Sequence, residues 1–382
     1  MMNYCAIRLT RKIAVAAVCL GAIGFATQPA VAGDLNFGKP GEPVQLVVGY
    51  QPYYTQSWSG IAMRGKEFWK KYLPAGSTVE FQVGLQGAII VNAMLAGKQH
   101  IGYMGDMPAI VSTTKQDVAD IRIVATVGFG TDQCDIFLVK KDAPEFKTPK
   151  EAMAWLGGKQ VAVPKGSCAD RFAQAVFKKE NIQPAEYLNQ NIEVITSGFR
   201  AGKIDAAVIW EPTASRLLLD GLARRVASGA NVGEHDAAFL GMRSELIKQR
   251  PDVVKGWLNA ELDAELFVAD PRNSLEVARM AVEQSTGFTE KSMWMAMYGR
   301  YPDGQGGAPV RNEFIFTMTP ESMDLISKAS AFLFSIKSIN VEKLRPDAVM
   351  PEFADAVLKE RGLKSPVGEV KAQPVTDYKG KP

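Results

Sequence analysis

The chain has 382 residues, of which 47% are hydrophobic and 22% charged, the make-up of a globular protein too long for one ordinary core. Its formal charge of +3 comes from Arg8, Arg11 and Lys12; past position 32 the 44 basic residues fall to 41, against 41 acidic ones. That neutrality removes the electrostatic case for nucleic acid or an anionic membrane surface as partner.

The chain opens with a targeting segment. The three basic side chains precede an apolar run over 13–25, and Ala30-Val31-Ala32 is a small-residue cleavage site. The run is shorter than the ~20 residues of a membrane span. We expect residues 1–32 to be a signal peptide cleaved after Ala32, and the mature protein to be periplasmic. Cleavage leaves Cys134 and Cys168 as the remaining cysteines. A disulfide between them and two buried free thiols both fit, and an oxidising compartment favours the bridge, worth about 4 kcal/mol in the chain-entropy treatment.

Residues 44–50 are apolar at nearly every position, as in a buried parallel strand. An amphipathic helix over 57–72, a strand over 78–83, a helix over 87–95 and strands over 101–104 and 121–127 follow. After a strand at 134–140 the alternation restarts, with helices at 148–156 and 169–179 and strands at 160–163, 192–196, 204–209 and 223–228. Beyond 230 the pattern reads as helices over 252–268, 273–284, 290–298 and 320–334, and a Pro-, Gly- and Lys-rich tail from 363 is expected to fray. Alternating strands and helices imply an α/β protein, each lobe a mostly parallel sheet flanked by helices. The expected division is 33–132 and 231–362 for one lobe and 133–230 for an inserted second, with a two-stranded hinge between them and a flexible tail over 363–382.

One phrase occurs twice. Ala96-Gly97-Lys98, a short run, then Gly105-Asp106-Met107-Pro108 is echoed by Ala201-Gly202-Lys203, a short run, then Trp210-Glu211-Pro212. Each copy reads as a helix ended by glycine, a buried strand, and a carboxylate at the strand's C-terminal edge. Ligands bind at that edge in open α/β sheets. The strand ends supply Gln51, Gln86 and Gly87, Asp106 and Met107, Asp132 and Gln133, Ser167 and Cys168, Ser197, and Trp210 and Glu211. Tyr53, Tyr54 and Trp58 could add an aromatic wall. Each also has a structural explanation: Ser167 with Asp170 fits a capping box, Asp106 a helix cap, Glu211 the positive first turn of a helix, and Trp210 the core. Catalytic machinery is scarce, since His100 and His235 stand apart and no phosphate loop, nucleophile elbow or metal-ligand spacing occurs. No cofactor and no metal are expected.

The segments Val47-Val48-Gly49-Tyr50-Gln51-Pro52, Gly97-Lys98…Gly105-Asp106-Met107-Pro108, Gly158 to Ser167 and Gly202-Lys203-Ile204-Asp205-Ala206…Trp210-Glu211-Pro212 are ordered and spaced as in one family. The chain resembles the periplasmic substrate-binding proteins of nitrate, sulfonate and taurine ABC importers. The resemblance spans residues 44–228. It implies a two-lobed, type II periplasmic binding fold that closes on a small-molecule ligand and delivers it to an inner-membrane ABC permease, as a monomer. It also implies that Gln51, Gln86, Asp106, Ser167, Trp210 and Glu211 line the cleft. With Asp106, Asp132 and Glu211 near that cleft, the expected ligand is a small organic solute pairing an acidic group with a donor, taurine-like, sulfonate-like or an aromatic acid. A ligand-presenting partner of a membrane sensor, or a pyrimidine-biosynthesis-type enzyme on the same fold, are the alternatives.

Overall fold

The computed structural model describes residues 35–381; the expected signal peptide, 1–32, lies outside them. In chain order the elements begin β1 (Gln45–Tyr50), α1 (Ser59–Lys66), β2 (Thr78–Val83), α2 (Gly87–Leu95), β3 (Ile101–Gly105), α3 (Asp106–Thr113) and β4 (Ile121–Gly130). A second group follows: β5 (Ile136–Lys140), α4 (Pro149–Trp155), β6 (Gln160–Val163), α5 (Cys168–Lys179), β7 (Glu186–Asn189), α6 (Ile192–Arg200), β8 (Ala206–Ile209), α7 (Thr213–Leu219) and β9 (Ala223–Ser228). The chain then returns through β10 (Asp236–Arg243), α8 (Ser244–Gln249), α9 (Pro251–Ala269), α10 (Ser274–Glu283), α11 (Glu290–Tyr298), β11 (Val310–Phe314), α12 (Pro320–Ser335), α13 (Glu352–Arg361) and β12 (Gly368–Lys371).

Two sheets result, seven strands in the order β12-β11-β4-β10-β3-β1-β2 and five in the order β7-β6-β8-β5-β9. The chain crosses between them over residues 131–135 and 229–235, and the crossings bond to each other, Gly229 N–H to the Asp135 carbonyl at 2.9 Å and Ala230 N–H to that of Thr131 at 3.1 Å. Helices α2, α3 and α12 cover one face of the first sheet with a Met- and Ile-rich layer. On the other face α1, α9 and α13 pack, and Trp58 and Trp257 are fully buried.

The α/β class holds, with one correction: the sheets are mixed. Only β1–β2 and β1–β3 run parallel in the first sheet, whereas β10 is antiparallel to both neighbours and β11 is antiparallel to β4 and β12. The strand returning from the second sheet enters from the opposite end and reverses the local direction. In the second sheet β5 is likewise antiparallel to β8 and β9.

Several elements differ from the sequence reading, β11 among them, a strand where only helices were expected. Residues 192–196 are helical, within α6, because Asn191 accepts the Val194 N–H at 2.9 Å as its cap. Ile192, Ile195, Thr196 and Phe199 then repeat at helical spacing on the buried side; the strand in that region is β7. The helix over 57–72 is broken at Glu67, whose φ of 52° ends α1 in the left-handed region, and a single 3₁₀ turn follows. Strand β10, buried along its whole length, lies where only helices were expected. The tail does not fray: β12 pairs with β11, and Gln373 N–H donates to the Tyr298 carbonyl at 2.7 Å.

Candidate functional site

Three helices point their N-termini at one cavity between the sheets. Helix α2 follows Gln86 in extended conformation, α3 follows Gly105, and neither cap residue offers a side-chain acceptor to the helix's free N–H groups. The two lie close because position 87 has no side chain, where a Cβ would collide with the Pro108 ring. The third N-terminus is that of α5, from the second sheet's side. There Ser167 Oγ accepts the Asp170 N–H at 3.3 Å and donates to the Pro164 carbonyl at 2.6 Å. Ser167 therefore caps α5, but the box is not closed, since the Asp170 carboxylate accepts the Gly166 N–H at 2.8 Å; Ser167 lines the cavity as well. Disulfide Cys134–Cys168, with its Cα atoms 6.2 Å apart, ties the first crossing to the start of α5.

The cavity holds about 310 Å³. From the first sheet's side it is lined by Gln51, Tyr54, Gln86, Gly87, Val91, Asn92, Gly105, Pro108 and Val111, and Ser338 closes an edge. The second sheet's side gives Pro164, Lys165, Gly166, Ser167, Cys168 and Trp210. Gln51 donates to the Tyr103 carbonyl at 3.1 Å, which fixes its amide, and Trp210 donates to the Tyr53 carbonyl at 3.0 Å. Tyr54 donates to Asp236 at 3.1 Å; burial, helped by the Asp236 and Asp106 charges, keeps its proton on well above the ordinary tyrosine range. Among the described residues, no carboxylate lines the cavity.

Of the site residues named from sequence, the cavity brings together Gln51, Tyr54, Gln86, Gly87, Ser167, Cys168 and Trp210. The others lie elsewhere. Asp106 is fully buried, accepts the Met107 N–H at 2.7 Å and stands 3.6 Å from Arg171; Met107 itself is buried in the layer beneath α3. Asp132 and Glu211 meet in a cluster with two arginines. Glu211 lies 3.5 Å from Arg225 and 3.4 Å from Arg311, and Asp132 is bonded to Arg311 and 3.4 Å from Arg225. All four side chains are fully buried, and the Tyr301 ring faces both guanidiniums at 4.6 and 5.1 Å. Glu211 also accepts the Ser215 N–H at 2.8 Å, so its helix-terminus explanation is correct. Gln133 accepts from the Thr55 hydroxyl beside this cluster.

Tyr53 packs on Phe288 with ring centroids 5.9 Å apart, and Trp58 is fully buried, donating to the Pro52 carbonyl at 3.0 Å. Ser197 sits exposed on α6, bonded to the Glu193 carbonyl at 2.9 Å. Its place at a strand end vanished with the strand. Asn92, Val91 and Val111 were not anticipated. Val91 and Asn92 stand three and four residues beyond Ala88, on the face of α2 that starts at the cavity, and that spacing was the available signal. Nothing local marks Ser338.

The taurine-binding periplasmic protein of Escherichia coli (strain K12) is 25% identical over 253 residues, covering 63% of this chain and 74% of that protein. The alkanesulfonate-binding protein SsuA from Xanthomonas axonopodis pv. citri, solved bound to MOPS, superposes with a TM-score of 0.63 at 19% identity over 81% of this chain and 98% of that one. The desulfurization enzyme DSZB superposes at 0.60 with 17% identity, over 83% and 99%. At such identities the superpositions show a shared fold, that of the periplasmic binding proteins of the SsuA type. The family match covers residues 39–282, from just before β1 to the end of α10, and so includes every strand and helix that borders the cavity apart from the Ser338 edge. On that match, the chain belongs to the NMT1-like family.

Proposed function

We propose that the protein is an extracytoplasmic solute-binding protein that holds a small organic anion between its two sheets and hands it to an ABC importer permease. The observation that carries this reading is the convergence of the α2, α3 and α5 N-termini on one cavity with no lining carboxylate. Free N–H groups and the helix dipoles favour negative charge there; Lys165 lies on the rim with its ammonium over the Tyr187 ring at 5.0 Å. Tyr54, Val91, Pro108, Val111, Pro164 and Trp210 supply an apolar wall, suited to an alkyl or aryl body.

The amine sought from sequence loses its motive. None of Asp106, Asp132 and Glu211 lines the cavity, and the last two are spent on Arg225 and Arg311, which favours a sulfonate or carboxylate with an apolar body over an amine-bearing ligand such as taurine. Binding rather than catalysis is the reading because, among the described residues, neither histidine lines the cavity, Cys168 is in a disulfide and Ser167 has no base beside it. In this reading the first sheet with its helices and the second with its own are two lobes, and the crossings are the hinge. Calorimetry with pentanesulfonate, benzenesulfonate, benzoate, taurine, nitrate and bicarbonate tests it. Heat with the apolar-bodied anions is expected, and heat with only the inorganic anions, or with none of the panel, would overturn it.

A further inference from the structure

Where the two crossings meet, the protein buries more negative charge than it compensates. Asp106 opens α3, Asp135 ends the first crossing and Asp236 opens β10 after the second, and all three are fully buried. Arg171 of α5 reaches into them from the second sheet's side. Its guanidinium lies 3.6 Å from Asp106 and 3.3 Å from Glu234, and donates to the His235 carbonyl at 2.6 Å. Tyr54 donates to Asp236 from the first sheet's side at 3.1 Å. Among the described residues, neither oxygen of Asp135 has a hydrogen-bond partner, and one oxygen each of Asp106 and Asp236 also lacks one. The His235 ring stacks on Phe129 at 4.9 Å, and Glu234, Lys328, Arg171 and Glu321 are its charged neighbours.

Three ionised aspartates against one guanidinium would leave uncompensated charge in a dry site, and buried carboxylates so placed take up protons instead. We propose that Asp106, Asp135, Asp236 and Arg171 form a proton-loaded latch across the two crossings, which holds the sheets together most firmly in mild acid and slackens as pH rises through neutrality. Burial lifts Asp135 to about 8, with Arg171 opposing and Asp106 and Glu234 adding to the rise, and burial together with Asp135 and Asp106 lifts Asp236 well above the carboxylate range. Groups raised in this way stabilise the latched form fully below the ordinary aspartate value. The stabilisation drains away as pH climbs to about 8 and is gone above it. Because α3 and α5 both start at the cavity, the latch would set how readily the cavity opens. That consequence rests on the function proposed above, whereas the latch itself does not.

Hydrogen exchange on the ligand-free protein separates the two. After correction for intrinsic rates, protection of residues 131–135 and 229–235 is expected to fall about a hundredfold between about pH 6 and about pH 8. The variant carrying Asp135→Asn and Asp236→Asn should keep most of its protection over that range, and Arg171→Met should be weakly protected throughout. A fall of less than about tenfold in the unaltered protein, or an equal fall in the double aspartate variant, overturns the latch. Failure of every organic anion to bind would remove the proposed function and leave this result standing.

Discussion

Carboxylates in this protein divide by what lies beside them. Glu261 and Glu265 sit one turn apart on α9, fully buried, with Tyr103 donating to Glu261 and no partner for either Glu265 oxygen. Burial lifts Glu261 to about 7 and Glu265 well above the glutamate range. The stability these groups contribute is complete below the ordinary value and drains as pH rises through about 7. Glu261→Gln should therefore raise the unfolding free energy by about 2 kcal/mol near pH 8.5 and by almost nothing near pH 4.5, as read by denaturant unfolding at both. Glu211 has two guanidiniums instead. Glu211→Ala strands them and should cost about 3–5 kcal/mol of stability, which reverses the reading of that residue as a ligand contact. The repeated phrase marked both Asp106 and Glu211 as strand-end carboxylates, and they are. Their partners Arg171, Arg225 and Arg311 come from α5, β9 and β11, and no local pattern announces such distant pairings.

Elements with strong terminal signals were the legible ones. Thr148 before Pro149, Ser167 three residues before Asp170, and Thr319 before Pro320 each begin a helix where the residues say one should. Short apolar runs were ambiguous. Ile192 to Thr196 and Ala237 to Met242 both fit either period; the Asn191 cap made the first a helix, and tertiary context made the second a central strand. In β10, Gly241 lets the strand lie against β3, since a Cβ would meet Met104 Cε at 2.7 Å. The cavity was half legible, because strand-end positions on β1, β6 and β8 follow from strand boundaries while Asn92 and Ser338 depend on how α2 and α12 are laid down. Gly87→Ala tests the element that matters most. Its new methyl must push the start of α2 away from Pro108, so affinity for whichever organic anion binds should drop about tenfold or more, while stability falls by about 1–3 kcal/mol. Equal affinity by calorimetry would mean that α2 does not hold the ligand.

At the scale of the whole molecule, the order of strands along the chain differs from their order in space. Every strand of the second sheet lies within one uninterrupted stretch, residues 136–228, whereas β10, between β3 and β4, arrives only after that stretch is complete. A chain that must bring residues 45–130 and 236–371 together meets a larger loop-closure entropy than one that pairs neighbours. Refolding should accordingly proceed in two phases, with amides of β5, β6 and β8 protected before those of β3, β4 and β10 in pulse-labelled exchange. Simultaneous protection of both sets would show a single cooperative unit. The gap in the first sheet has a further meaning for a chain still emerging from a ribosome or a translocation channel. Until β10 arrives, β3 and β4 present bare edges, both apolar, that other copies could pair with. The nascent protein is thus most exposed to aggregation during the interval in which its second half is being made, and that interval is when a holding chaperone would matter most.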